Sequence, residues 1–174
     1  GEGMPWDEAV MPWISSANIA CGFHAGDVDT IRKTIDLCLQ HNVAIGAHPG
    51  FDDKPNFGRK EIQLEDDALY GLIQRQLELM QKICDEKKAK LHHVKLHGAL
   101  YNMAARSRAI SKVAVQAVKD FNDKLFFYGL SGSVMTEEAR IAGLKAVEEA
   151  FADRAYSNQG TLLPRNRPEA IIQE

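Results

Sequence analysis

The stretch ISSANIACGFHAGDVDTIRKTIDLCLQHNVAIGAH, residues 14–48, decides how the chain is read. Its first part, 14–21, is a short apolar run of strand length, and a loop carrying Gly22, His24 and Gly26 follows. Asp27 is then a good N-cap, because its short carboxylate can accept a free amide of the first helical turn. Val28, Ile31, Ile35, Cys38 and Leu39 fall on one face of the helix it opens. A second run, 43–47, reads as the next strand. Strand, helix and strand in this order make the β-α-β unit of a parallel sheet.

The same alternation continues outward. A Gly/Pro/Asp-rich loop over 49–58 leads to a long amphipathic helix marked by Leu69, Leu72, Ile73, Leu77, Met80 and Cys84. The run 91–97 reads as a strand, and 107–122 as a helix with Ile110, Val113, Ala114, Ala117, Val118 and Phe121 inward. Residues 125–130 (LFFYGL) form a near-continuous apolar strand, as expected where both faces are buried. A helix over 133–142 and a weaker strand over 145–151 complete the series. At about 30 residues per βα unit, the chain holds roughly six units. An open doubly wound sheet and an incomplete barrel both fit. No repeat, low-complexity segment or linker interrupts the pattern, so 1–174 is read as one domain.

The composition is that of an ordinary globular protein, 45% apolar and 26% charged, and 21 basic against 24 acidic residues give a net charge of −3. A chain of this length buries about two-thirds of its unfolded surface, so folding needs neither disulfides nor a structural metal. No basic run offers a footprint for nucleic acid, and no stretch approaches the roughly 20 apolar residues that span a bilayer. Cys21, Cys38 and Cys84 make no paired framework and are read as reduced thiols.

Function is signalled by where the histidines fall. His24, His48 and His97 each lie at or just after a strand end, beside Gly or Pro, and strand C-terminal ends form the functional rim of parallel α/β folds. Two chemistries fit three converging imidazoles. With carboxylates such as Asp27 and Asp52, His24 and His48 could hold a divalent metal that activates water. Alternatively, a histidine works as a metal-free acid/base while Lys95 and Arg59 hold an anion. Lys95 lies two residues before His97 in a strand, so both side chains point the same way, and an inward lysine needs a partner or a ligand. His92 and His93 lie at the opposite end of that strand and are read as structural or surface residues, and His41 as a solvated helix-end residue.

Several attractive motifs fail. Gly129-Leu130-Ser131-Gly132-Ser133 ends in Ser where a nucleophile elbow needs Gly, and reads as helix capping with an anion site as the alternative. Neither a P-loop nor a dinucleotide-binding glycine fingerprint is present. Cys21 is expected to be a buried strand cysteine before a nucleophile. The loop from Phe51 to Arg59 is either a binding lid or a polar excursion anchored by Phe51 and Phe57.

Ser15–Asp27, Ala44–Pro49, Phe57–Arg59, His93–Asn102 and Phe151–Tyr156, with Gly160–Arg165 beyond them, resemble the signatures of the LamB/YcsF family, the A subunits of 5-oxoprolinase. The likeness covers essentially the whole chain, although Leu96 stands where the family commonly has Pro. It implies a seven-stranded β/α barrel of the glycoside hydrolase/deacetylase type and a cytoplasmic protein that works with 5-oxoprolinase subunits B and C. The implied reaction is ATP-dependent opening of 5-oxoproline to L-glutamate, with ATP as co-substrate and a divalent metal as an option. On this reading His24, His48, Lys95, His97 and Asp27 are the expected catalytic residues, and Asn18, Arg59 and Asn102 the expected substrate or phosphate contacts. His24 and His48 are the expected metal ligands. The family's acidic first strand and its C-terminal His-Gly-Asp strand are not in this sequence, and 168–174 reads as the opening of a helix, so both ends of the family domain are expected to be incomplete. The competing readings are a self-sufficient metal-dependent hydrolase or deacetylase and a non-catalytic module that binds a small acid. Homo-oligomerisation is left open.

Overall fold

The structure is a computed structural model and describes residues 2–3 and 6–172. After a short helix α1 (Asp7–Val10) come β1 (Ser16–Ala20), α2 (Val28–His41), β2 (Ala44–His48), α3 (Asp66–Glu86) and β3 (Leu91–Lys95). Two helices follow, α4 (Gly98–Arg106) and α5 (Arg108–Phe121), then β4 (Phe126–Leu130), α6 (Val134–Ile141) and β5 (Lys145–Glu149). The five strands are all parallel and pair in the order β1-β2-β3-β4-β5. Helix α2 packs on α3, α3 on α5 and α5 on α6, the same progression as the strands, so the helices form one layer. A doubly wound sheet reverses its strand order and carries helices on both faces. This sheet does neither, and its winding is that of a β/α barrel. Five strands are described, against about six from chain length and seven from the resemblance.

Local signals account for the element ends. The Asp27 carboxylate accepts the Thr30 amide at 2.8 Å and caps α2. At the other end Asn42 adopts φ 58°, and the Val43 amide reaches back to the Cys38 carbonyl at 2.8 Å, which is a left-handed helix stop. Helix α4 is absent from the sequence reading, which placed one helix over 107–122; here Ser107 divides α4 from α5 and caps the latter. The C-terminal expectation is also corrected. Pro168–Ala170 is a single 3-10 turn, Ile171 bridges antiparallel to Arg154, and residues 173–174 lie outside the described residues.

One face of the sheet is the core. Ile19, Ile45, Ala47, Val94 and Phe127 meet Ile31, Ile35, Ile73, Leu77, Val118 and Met135 from the helices. Each large side chain buried there contributes about 1.5–3 kcal/mol. The three cysteines are buried and free, and burial pushes the Cys21 thiol up to about 12, so it stays protonated and inert.

The opposite face is polar and aromatic. Asn18, Gly46 and His93 lie in register across β1, β2 and β3. A Cβ on Gly46 would lie 2.0 Å from His93 Nε2, so only glycine leaves room for that imidazole. His93 Nε2 donates to Asn18 Oδ1 at 2.9 Å, its Nδ1 lies 3.2 Å from His92 Nδ1, and its ring stacks on Tyr128 at 4.2 Å. Burial, reinforced by His92 and Lys95, lowers its pKa to about 4. His93 is therefore a fully buried structural residue. Asn18, expected at the substrate, is His93's partner.

Candidate functional site

Parallel pairing sends every strand's C-terminal end to the same rim. His48 and Lys95 are the last residues of β2 and β3, Glu149 is the last of β5, and His24 and His97 follow β1 and β3. The structure brings His24, His48 and His97 into contact. His24 and His97 stack face to face with ring centroids 3.8 Å apart and 6° between planes, and His48 meets His97 edge-on at 4.8 Å.

Hydrogen bonds fix the tautomers of two of these rings. His48 Nδ1 lies 2.6 Å from the Lys95 carbonyl, and His97 Nε2 lies 2.8 Å from the Phe57 carbonyl. A carbonyl only accepts, so both nitrogens carry protons. In the neutral rings the lone pairs then sit on His48 Nε2 and His97 Nδ1, which face each other at 3.0 Å. Two opposed lone pairs repel, and the contact is satisfied only by a proton or a cation between them. Burial, with His97 adding to it, holds His48 well below its ordinary pKa. Burial also lowers His97, against the opposing pull of the Phe57 carbonyl and Glu2. A shared proton is therefore disfavoured at neutral pH. Glu2 places a carboxylate oxygen 3.6 Å from His97 Nδ1. The ligand atoms of Glu2, His48 and His97 lie within 4.8 Å of one another, and two neutral imidazoles with one carboxylate are a donor set for a divalent metal.

His24, expected as a metal ligand with His48, is not in this group. It is 1% exposed, both its ring nitrogens lack a hydrogen-bond partner among the described residues, and burial, then His97 and Arg59, lower its pKa to about 3. Its evident contribution is a flat neutral surface that sets the plane of His97. Asp27, expected to be catalytic, is the exposed N-cap of α2, its carboxyl held below the usual range by the Thr30 amide. Lys95 is ion-paired, its ammonium 2.7 Å from Glu149, which also accepts the Tyr101 hydroxyl at 2.8 Å. The Tyr101 hydroxyl is raised by burial and by Glu149, so it remains a neutral donor.

The loop after β2 forms a wall of the site. Phe51 is in the core, the Gln76 side chain bonds both the amide and the carbonyl of Gly50 at 3.0 and 2.9 Å, and His97 N donates to the Pro49 carbonyl at 2.8 Å. Phe57 packs edge-on against His24 and His97. Its neighbour Gly58 is pressed against both rings: a Cβ there would sit 2.8 Å from His24 Cβ. Ser131, in the failed elbow motif, donates to Glu148 outside this site.

A cavity of about 580 Å³ opens beside the histidines and is lined by Glu2, His48, Lys95 and His97 together with Arg59 and Asn102. Of the expected contacts, Arg59 and Asn102 are thus at the cavity and Asn18 is not among its lining residues. Sequence reasoning missed Glu2, Glu149, Tyr101 and Arg154, which also line it or reach into its ion pairs. The signal for two of them was that Tyr101 and Arg154 stand within family-like segments, His93–Asn102 and Phe151–Tyr156.

The LamB/YcsF family profile matches residues 1–174. The chain is 46% identical over 168 residues to the A subunit of 5-oxoprolinase from Bordetella pertussis, covering 97% of this chain and 67% of that protein. It is 48% identical to the corresponding A subunit from Shouchella clausii, with 97% and 66% covered. The crystal structure of a lactam utilization protein from Thermus thermophilus superposes with a TM-score of 0.90 at 43% identity, over 97% of this chain and 68% of that one. This chain spans about two-thirds of the length of these relatives.

Proposed function

The chain belongs to the LamB/YcsF family, and from that premise we propose that it is the A component of a 5-oxoprolinase, a hydrolase that opens the cyclic amide of 5-oxoproline to L-glutamate. In this reading it works in the cytoplasm with subunits B and C, ATP is the co-substrate, and the five strands belong to a seven-stranded barrel. The names and identities of the relatives support the assignment. The observation within the molecule that carries it is the facing His48 and His97 nitrogens at a cavity rim.

A lactam carbonyl resists water because its nitrogen shares electron density with it. Transfer of a phosphoryl group from ATP to the lactam oxygen makes the ring carbon electrophilic. Water adds to that carbon, the ring C–N bond breaks with the nitrogen leaving as the amine of glutamate, and the resulting acyl phosphate takes a second water to release phosphate. His48 and His97 present a basic nitrogen each, so the pair can take a proton from water at His97 Nδ1 or His48 Nε2 and return it to the departing nitrogen. Lys95 is neutralised by Glu149, which also positions Tyr101, while Arg59, which has no carboxylate partner among the described residues, faces developing negative charge. A divalent cation held by Glu2, His48 and His97 would occupy these same nitrogens in place of the proton and would supply Lewis-acid polarisation instead.

The test is reconstitution: glutamate is expected from 5-oxoproline only when ATP and subunits B and C are present. No release from the complete set sinks the assignment. The same donor set favours a second reading, a stand-alone metal-dependent hydrolase or deacetylase, which predicts amide or N-acetyl hydrolysis by this chain with divalent metal and no ATP.

A further inference from the structure

Arg154 is a charged residue in an unusual position. It is 6% exposed, yet no carboxylate lies within ion-pair distance of it among the described residues. Its guanidinium is held by backbone alone: Nε donates to the Ala170 carbonyl at 3.2 Å and Nη2 to the Leu163 carbonyl at 2.6 Å. Its surroundings are on balance unfavourable to a cation: burial, then Arg165, work against its charge, and Asp153 and Tyr156, neither within ion-pair contact, only partly oppose them. Withdrawing a cation from water without a counter-charge costs several kcal/mol, and two neutral carbonyls offset only part of that. The residue lines the same cavity as His48 and His97, and among the described residues its remaining terminal N–H groups make no hydrogen bond.

Other cations at the cavity behave differently. Lys95 is matched by Glu149 and Arg106 by Glu61, both at 2.7 Å. Arg59 and Arg165 lack carboxylate partners among the described residues but are solvent-exposed, where an unpaired charge costs little. Among the described residues that line the cavity, only Arg154 combines burial, fixed orientation and a missing negative partner. A ligand carboxylate can supply that partner.

We propose that Arg154 binds the carboxylate of the substrate, and so orients the lactam ring with its amide toward the His48 and His97 pair. The proposal rests on the 5-oxoproline reading and deepens it by naming the group that tells 5-oxoproline from a neutral lactam. A guanidinium edge suits a planar monoanion, because two parallel N–H groups match two carboxylate oxygens. A phosphate could use the same charge, and the test separates the two.

The experiment is calorimetric titration of the full chain with 5-oxoproline, its neutral analogue 2-pyrrolidinone, acetate and inorganic phosphate, for the wild type and for Arg154→Met and Arg154→Lys. The Arg154 side-chain N–H resonance is followed in parallel. The wild type is expected to prefer 5-oxoproline over 2-pyrrolidinone by about 10- to 100-fold, the range for hydrogen bonds to a charged group. Arg154→Met should erase that preference while leaving 2-pyrrolidinone binding unchanged. Arg154→Lys should restore only part, since it keeps the charge and loses the fork. Equal loss of both lactams, with a lowered thermal midpoint, would assign Arg154 to the fold and overturn the proposal. Retained preference in Arg154→Met would do the same. Phosphate binding that displaces 5-oxoproline and depends more strongly on Arg154 would replace the carboxylate with a phosphoryl group. If the wild type alone binds neither lactam, the carboxylate contact proposed for Arg154 is overturned, while the 5-oxoprolinase reading stands or falls by reconstitution with ATP and subunits B and C.

Discussion

Two groups of histidines share β2 and β3 and differ in one respect. In the middle of the sheet, His93 sits over Gly46 with one nitrogen on Asn18 and the other against His92, and its ring lies on Tyr128. At the rim, His48 and His97 each spend one nitrogen on a carbonyl and turn the other toward each other beside a cavity. In both groups burial lowers the pKa and keeps the rings neutral. Mid-sheet, the protein itself completes the hydrogen bonding; at the rim it sets two lone pairs against each other, and only a proton, a cation or a substrate relieves them. Burial and a lowered pKa alone therefore do not distinguish a structural imidazole from a working one. What distinguishes these two groups is whether the second nitrogen meets a donor or another acceptor.

The sharpest way to break this comparison is to exchange the fates of the two groups. His97→Gln should lower turnover by about 10²- to 10⁴-fold, the range for a lost acid/base group, with a small change in thermal midpoint. His93→Gln should do the reverse, lowering stability while leaving turnover per folded molecule intact. Reconstituted glutamate release and thermal melts read the two. A His93 variant that folds but is inactive would abolish the distinction.

Next in size, Gly46→Ala should cost about 3 kcal/mol or more in denaturant unfolding. The new methyl meets the His93 ring at 2.0 Å, and that ring is already stacked on Tyr128. The double variant Gly46→Ala, His93→Ala should recover most of the loss, because the clash disappears with the ring.

The mid-sheet group also sets a pH dependence. His93 has a folded pKa of about 4 against the ordinary value of 6.5, so the unfolded chain binds more protons between these values. Stability should be full above about pH 6.5 and decline as pH falls toward 4, with a slope of at most about 1.4 kcal/mol per pH unit per proton. Urea titrations of the wild type and His93→Gln should differ in that window and run parallel above it.

The smallest effect concerns the ion pair. Glu149→Gln keeps the Tyr101 contact and frees the Lys95 charge at the cavity. A rise in affinity for acidic ligands of about tenfold or less, with little change for neutral ones, is the expected outcome by calorimetry.

Much of the fold was legible because local rules decide it. The helices after Asp27 and over 107–122, and every strand of the sheet, follow from capping and apolar period. Helix α4 was missed because it begins at Gly98 with φ +56° directly after a strand-like run and ends at Ser107, which itself reads as the start of the next helix. The rim address of the three histidines was legible because parallel strands all finish at one end. Their partners were not. Lys95 and Glu149 are 54 residues apart, and the Phe57 carbonyl is 40 from His97, so no spacing announces either contact. Asp27 is the converse case: its capping role was legible from the sequence, and the contact the structure gives its carboxylate is that cap on the Thr30 amide.

The clamp that Gln76 places on Gly50 has a kinetic meaning. Because its amide takes both the N–H and the C=O of that residue, the loop carrying Phe57 is tied to α3 as firmly as a strand to its neighbour. Ligand entry is then expected to leave this end of the loop in place. Association should follow a single exponential whose rate rises linearly with ligand concentration, without the plateau of a preceding opening step, and should slow in proportion to solvent viscosity.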